Sequence, residues 1–426
     1  MKRKALAVAV GALFIAPAAQ AQITFGNEQI GTLQIYGKLY PQFAWSSFDN
    51  STQPGTAVAT FQGGGVGTVA APLTNTIPAG AAIANPLPRQ SVDVGNSYIG
   101  FRGERGLGNA LGGLKAIWQI ETATNFDVGT GTWASRDSFL GLSSRSFGTV
   151  RLGNMDTVYK SYGDTFSMFG ISSGNFVSAS NLLSQSIASN RAARFHERRT
   201  NSIMYESPTF ARFTAGVMYG PDEAKTSSRN ANLWSYGIKY DTERFYASVH
   251  QEKHYDFFGL SSSITNAALK NNGNAASHST DTATRFSAEY RWGSGRVTFD
   301  IAKLEYEETD PVLTAANPVR AAKYEHTNSA IGIDWGFGPW RFAGQYIIAG
   351  EGTCTLTGSA ACSTAGLQAK QYTAGVRYRF DRQTFVYAIY AHLDNGVSSA
   401  YNNNSNIGLN MGTDSDNVAL GVSYSF

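Results

Sequence analysis

The chain has 426 residues, of which 42% are hydrophobic, 12% aromatic and only 15% charged, with 45 Gly and a mean hydropathy of -0.22. That balance excludes disorder and coiled coil, and after the N-terminus no run of about 18 apolar residues offers a membrane-spanning helix. Formal charge is +3, but without Lys2, Arg3 and Lys4 the 34 basic residues become 31 against 31 acidic ones, so no nucleic-acid partner is expected.

Those three cations open a leader-like segment. They precede an apolar run from Ala5 to Ala16 and an Ala19-Gln20-Ala21 cleavage pattern, so residues 1–21 read as an export signal and the mature chain begins at Gln22. An anchoring or buried helix is the alternative; the run is short for it.

From Gln22 onward the dominant period is two, which specifies strands with one apolar face. In Thr32 to Trp45, Leu33, Ile35, Leu39, Phe43 and Trp45 share one face, while Gln34, Tyr36, Lys38, Tyr40 and Gln42 share the other. A Gly/Ala/Pro/Thr-rich stretch from Ser46 to Val94 follows, then strands over Gly95–Gly103 and Gly113–Thr124. Their connection, Glu104 to Gly112, superficially looks like a phosphate loop but lacks the Gly-Lys-Ser/Thr ending and a following helix. Further strands are expected over Ser135–Ser143, Gly148–Asn154, Thr200–Glu206, Phe210–Tyr219, Asn232–Tyr240 and Arg244–His254. The series continues with Thr284–Trp292, Gly295–Glu307, Asn328–Trp335, Pro339–Gly350, Lys370–Phe380, Gln383–Leu393 and Asp416–Phe426, making sixteen.

One stretch breaks the beat. Residues 154–199 are polar and rich in Ser, Asn and Gly; they begin with Asp156 and Asp164 and close with Arg191, Arg194, Arg198 and Arg199. A long insert in a compact protein is functional or disordered. Here it is expected to fold into the interior and narrow it. Cys354 and Cys362, close together in a Gly/Thr/Ser-rich segment of an exported chain, predict a loop disulfide; the C-x-x-C spacing and nearby His of a metal or redox pair are missing. His250 and His254 flank Glu252, but residues four apart on a strand are too distant to share one ion. Neither a metal nor a cofactor is expected.

Tight turns alternate with long polar loops along the chain, the layout of an outer-membrane barrel. Hydrocarbon offers no partner to a free strand edge, so the strands must close into a ring. Phe286, Ala288, Tyr290 and Trp292 mark the lipid side, and Arg285, Ser287, Glu289 and Arg291 the wet side. A soluble sandwich would reverse this exposure and would not need alternately short and long connections.

SYIGFRGERGLGNALGGLKAIWQIET, RDSFLGLSSRSFGTVRLGN, RRTNSIMYESP and the terminal VALGVSYSF together resemble the general porins of Gram-negative bacteria, particularly the β-proteobacterial type. The resemblance spans residues 22–426. It implies a sixteen-stranded antiparallel transmembrane barrel in the outer membrane, a homotrimer, with the third outer loop, residues 154–199, folded inward as a constriction. It further implies a water-filled channel for passive diffusion of small hydrophilic solutes, lipid and lipopolysaccharide around it, and a terminal signal, Tyr424 and Phe426, read by the barrel-assembly machinery. The Pro-Glu-Phe-Gly-Gly-like element common in the family's loop is replaced here by YGDTFSMFG.

Strand parity assigns Lys38, Arg102, Lys115, Arg136, Arg151, Arg212, Lys239, Arg285, Arg291, Arg341, Arg377 and Arg379 to the interior, against Glu121, Glu252, Glu289, Asp300 and Asp334. A basic interior predicts preference for small anionic solutes. By resemblance, Lys38, Arg102 and Arg136 form the basic wall of the constriction, Asp156 and Asp164 its negative side, and Arg191 and Arg194 extend the cationic side. Two other functions were weighed. A barrel phospholipase would draw on His326 or His392, but no nucleophile motif accompanies them, so no enzyme is expected. An adhesin would use residues 46–94 and 255–283.

Overall fold

The computed structural model describes residues 23–27, 31–63, 76–77, 82–108, 110–186, 194–257, 259–271, 276–315, 318–403 and 407–426. The expected export signal and Arg191 lie outside them. Strands follow in the order β1 (Ile23–Asn27), β2 (Gly31–Leu39), β3 (Gln42–Asp49), β4 (Arg89–Asp93), β5 (Tyr98–Gly106), β6 (Lys115–Ala123) and β7 (Ser138–Ser144). Next come β8 (Gly148–Asp156), β9 (Arg198–Glu206), β10 (Phe213–Gly220), β11 (Asn232–Asp241), β12 (Phe245–Tyr255), β13 (His278–Trp292) and β14 (Gly295–Thr309). The last are β15 (Ala321–Phe337), β16 (Trp340–Ala349), β17 (Thr353–Leu356), β18 (Ala369–Arg379), β19 (Thr384–Asn395) and β20 (Asp414–Ser425).

All pair antiparallel, and the ring closes where β20 meets β3, with Leu420 opposite Phe43. β2 and β3 are one stave interrupted at Tyr40 and Pro41, and β4 and β5 another interrupted at 94–97; β1 and β17 are short strands beside β2 and β15. The result is a closed sixteen-stave barrel. Pro41 has no N–H to give the ladder, but its carbonyl still accepts from Val422 N at 3.1 Å, so the break does not open the seam. At the terminus Phe426 and Gly37 exchange backbone bonds of 2.9 and 3.0 Å, completing the seam where β2 reaches β20.

The alternation is carried through burial. On β14 and β15, Phe299, Ile301, Ile331 and Ile333 are exposed, while Asp300 and Asn328 are buried. A sheet whose apolar face is outward and whose polar face is enclosed is stable only with hydrocarbon around it.

β13, β14 and β15 run farther than the period suggests: β13 begins at His278 rather than Thr284, and β15 at Ala321 rather than Asn328. The added outward positions Thr280, Thr282, Lys323 and Glu325 lie beside Lys303 and Glu305 of β14, and Lys303 and Lys323 each pair with Glu305 and Glu325. Beyond the apolar belt the outward residues turn polar, so hydrophobic periodicity ends while hydrogen bonding continues. Likewise β4, hidden in the Gly-rich stretch from Ser46 to Val94, pairs with β3.

Candidate functional site

The enclosed face of the barrel carries the chemistry. Lys38, on β2, donates to the Gly170 carbonyl at 3.0 Å and sits over the rings of Tyr40 and Tyr98 at 4.9 and 5.6 Å. Arg102, on β5 opposite Gln34, donates from Nε to that residue at 2.9 Å and lies 4.8 Å from the Tyr36 ring. Arg136 falls just before β7 rather than inside a strand. It pairs with Glu121 and covers the Tyr98 ring at 4.9 Å, while the Tyr36 hydroxyl donates to the other Glu121 oxygen at 2.9 Å. The structure therefore brings Lys38 and Arg136 onto the two contacts of one ring, Tyr98, and joins Arg102 to Arg136 through Tyr36 and Glu121.

Asp156 and Asp164 have partners of their own. Asp156 ends β8 and pairs with Lys160 at 3.0 Å and with Arg198 at 2.6 Å; Arg198 also reaches Asp137 at 2.7 Å. Asp164 pairs with His196, where burial pushes the imidazole below its ordinary value and the neutral ring donates from Nε2 to the carboxylate. These contacts hold the two ends of the segment together. Arg194 donates to Ser180 Oγ at 3.2 Å, and Arg199 lies over Phe257 at 4.9 Å.

Between its ends the segment is seated on the polar face by contacts from many strands. Its helical turn Val158–Gly163 is capped by Thr157, whose side chain accepts from Lys160 N. Tyr159 N donates to Ser235 Oγ on β11 at 2.8 Å, and Tyr246 and Ser248 on β12 donate to the Tyr162 carbonyl at 2.6 and 3.0 Å. Gly163 is required there, because a Cβ would lie 2.8 Å from His250 Nε2 and 2.9 Å from an Arg285 nitrogen. Farther on, Arg296 donates to the carbonyls of Thr165 and Ser167, both at 3.1 Å, and Asn328 donates to that of Leu182 at 2.8 Å. Phe166, Met168, Phe169, Ile171 and Phe176 pack with Tyr40, Ala44, Tyr387 and Ile389 in one buried cluster.

Sequence reading omitted Arg296, although parity places it with Thr298 and Asp300 on the enclosed face. Its position beside the turn at Gly293 hid it. One other assignment is corrected: Arg212 is exposed in a turn before β10 with φ of 75°. A turn residue next to a strand does not inherit its parity. His250 meets Ser248, and His254 meets Glu252 at 3.0 Å. His326 is buried against Tyr324, while His392 pairs with Asp416 at 3.0 Å.

Cys354 and Cys362 form a disulfide with Cα atoms 5.8 Å apart. It braces the loop after β16, against which the first long loop packs: Thr60 N donates to the Ser363 carbonyl at 2.9 Å. Tyr424 faces outward, its ring 6.1 Å from that of Phe426.

Known proteins agree with this architecture. Part of the chain is 33% identical over 151 residues to the major outer membrane protein P.IB of Neisseria lactamica, covering 35% of this chain and 40% of that protein. A P.IB of Neisseria gonorrhoeae is 36% identical over 152 residues, covering 35% and 39%. The aligned stretch thus spans about two fifths of these curated relatives. Among solved structures, the anion-selective porin from Comamonas acidovorans superposes with a TM-score of 0.62 at 17% identity, covering 93% of this chain and 100% of that one. The trimer form of OmpT from Vibrio cholerae gives 0.57 at 14% identity, covering 93% and 99%. Likeness at such identity concerns the fold alone. The family model for Gram-negative porins matches residues 5–398, nearly the whole chain, and with the closed barrel and its outward apolar face it places the protein in the Gram-negative porin family of the outer membrane.

Proposed function

We propose that the protein is a water-filled channel for passive diffusion of small hydrophilic solutes that favours anions, with residues 154–199 as the constriction. The carrying observation is that Lys38 and Arg377 have no carboxylate partner among the described residues, although both are on the enclosed face beside this segment. Asp156 is neutralised by Lys160 and Arg198, while Asp164 is held by the neutral His196, so one carboxylate of the segment stands against the cations of the wall. In a narrow passage of low effective dielectric, an uncompensated cation acts more strongly than in bulk water. The contacts from β2, β11, β12, β14 and β15 to the segment support its lying across the interior.

In this reading Lys38, Arg102 and Arg136 form the basic wall, Asp156 and Asp164 tie the segment down, and Arg194 adds to its cationic side. Arg191 belongs to the same stretch, outside the described residues. The fold shared with a porin described as anion-selective is consistent with the sign. We assign the remaining parts by family: cleavage after residue 21, assembly through Tyr424 and Phe426, a homotrimer, and lipopolysaccharide at the outer rim. Relatives that are porins support a channel rather than an enzyme.

The test is the zero-current potential of purified protein in planar bilayers under a KCl gradient. Its sign should be that of chloride preference, and K38E with R136E should move it toward cations. A cation sign in the unaltered protein overturns the proposal, as does absence of conductance.

A further inference from the structure

This inference rests on the channel reading above and concerns what Lys38 and Arg377, which have no carboxylate partner among the described residues, would hold. Arg377 lies on β18, its guanidinium carbon 5.0 Å from the Phe385 ring and 5.7 Å from the Phe169 ring. None of its N–H groups meets an acceptor among the described residues, and its Nε is buried. The nearest carboxylate in the ladder is already taken: Asp334 is held by Arg341, the residue opposite Arg377, and by Arg296 at 3.4 Å.

Lys38 contacts the next residue of the same turn. Its Nζ donates once, to the Gly170 carbonyl at 3.0 Å, and otherwise faces the Tyr40 and Tyr98 rings. The Tyr40 ring stands 6.0 Å from that of Phe385, and its hydroxyl donates to the Phe169 carbonyl at 3.3 Å. Phe169 and Gly170 are the tip of a turn closed by Met168 and Ile171, with φ of 52° and 89°. A two-residue turn with both central φ positive is tight. Phe169 is uncommon in that region, and its bond from Tyr40 and its contact with Arg377 hold it there.

Aromatic rings attract a cation and exclude water from it, but they give its N–H groups no hydrogen-bond acceptor. An Arg held between rings keeps its in-plane fork, and that fork matches the two oxygens of a carboxylate. We infer that Arg377 and Lys38 form a binding station for planar organic carboxylates at the tip of the constriction segment, with Arg377 taking the two oxygens side by side and Lys38 adding charge. Chloride, a sphere, satisfies one such donor pair less well, so carboxylates pause where chloride passes.

The probe is acetate. With full-length protein in bilayers, chloride conductance should fall and level off as acetate is added, giving a half-blocking concentration. R377K retains the charge and removes the fork; measured against its own chloride conductance, its half-blocking concentration should rise about tenfold, the scale of losing one strong charge-assisted hydrogen bond. K38Q should raise it about threefold, and carries the test alone if R377K does not insert. No saturation in the unaltered protein overturns the inference, as does an unchanged half-blocking concentration in the variants. If the KCl potential has a cation sign, the channel reading fails separately.

Discussion

At the scale of residues, the enclosed face divides into cations with partners and cations without. Glu206 shows the first kind: its two oxygens hold Arg151 at 3.1 Å and Lys239 at 3.4 Å, and all three side chains are nearly inaccessible. Removing the acid leaves two like charges together with little water to separate them. E206Q should therefore cost about 3 kcal/mol, the lower end for breaking a buried ion pair. A denaturant titration of the barrel in lipid measures it; a loss below about 1 kcal/mol would mean that water in the barrel already compensates the cations. Lys38 and Arg377 show the second kind: neither has a carboxylate partner among the described residues, and in the proposed channel these are the charges a passing anion would meet.

Elements show how the barrel tolerates irregular pieces. The disulfide closes a short loop between residues eight apart, tying Cys354 on the short strand β17 to Cys362 in the loop that follows it. By chain entropy such a link stabilises by about 2.5 kcal/mol, and it braces the loop packed with Thr60 beyond the sixteen staves. Reduction, or C354S with C362S, should speed proteolytic nicking within residues 351–367 and leave the folded band on an unheated gel unchanged. Loss of the folded band would show that the brace supports the barrel itself. At the seam, the paired backbone bonds between Gly37 and Phe426 make the last residue part of closure. Deleting Phe426 should lower the yield of heat-modifiable barrel in refolding into lipid by several-fold, on the order of the two hydrogen bonds lost. Unchanged yield would confine the residue to a signalling role.

For the whole molecule, Lys2, Arg3 and Lys4 aside, basic and acidic residues number 31 each, so what matters is where they pair. Glu305 and Glu325 stand on the outward face of the long strands, paired to Lys303 and Lys323. Glu206, Asp300 and Asp334 are paired to arginines on the enclosed face, and Asp156 to Arg198 at the ends of the long segment. In the proposed channel selectivity follows local compensation rather than total charge, and the K38E with R136E variant tests that.

The sequence by itself determined the strand period, the sixteen staves, the alternation of turns and loops, and the membership of Cys354 and Cys362 in one loop. These are local properties: parity is set by the pleat, and turn length by the residues between strands. It did not reveal that β13 to β15 continue past the apolar belt, because backbone pairing leaves no trace in hydropathy. Nor did it show which charges cancel. Asp156 finds Arg198 across 42 residues of chain, Arg136 finds Glu121 through the neighbouring strand, and Arg377 finds only rings. Such pairings depend on register and on where the long segment comes to rest, and only the closed barrel fixes both.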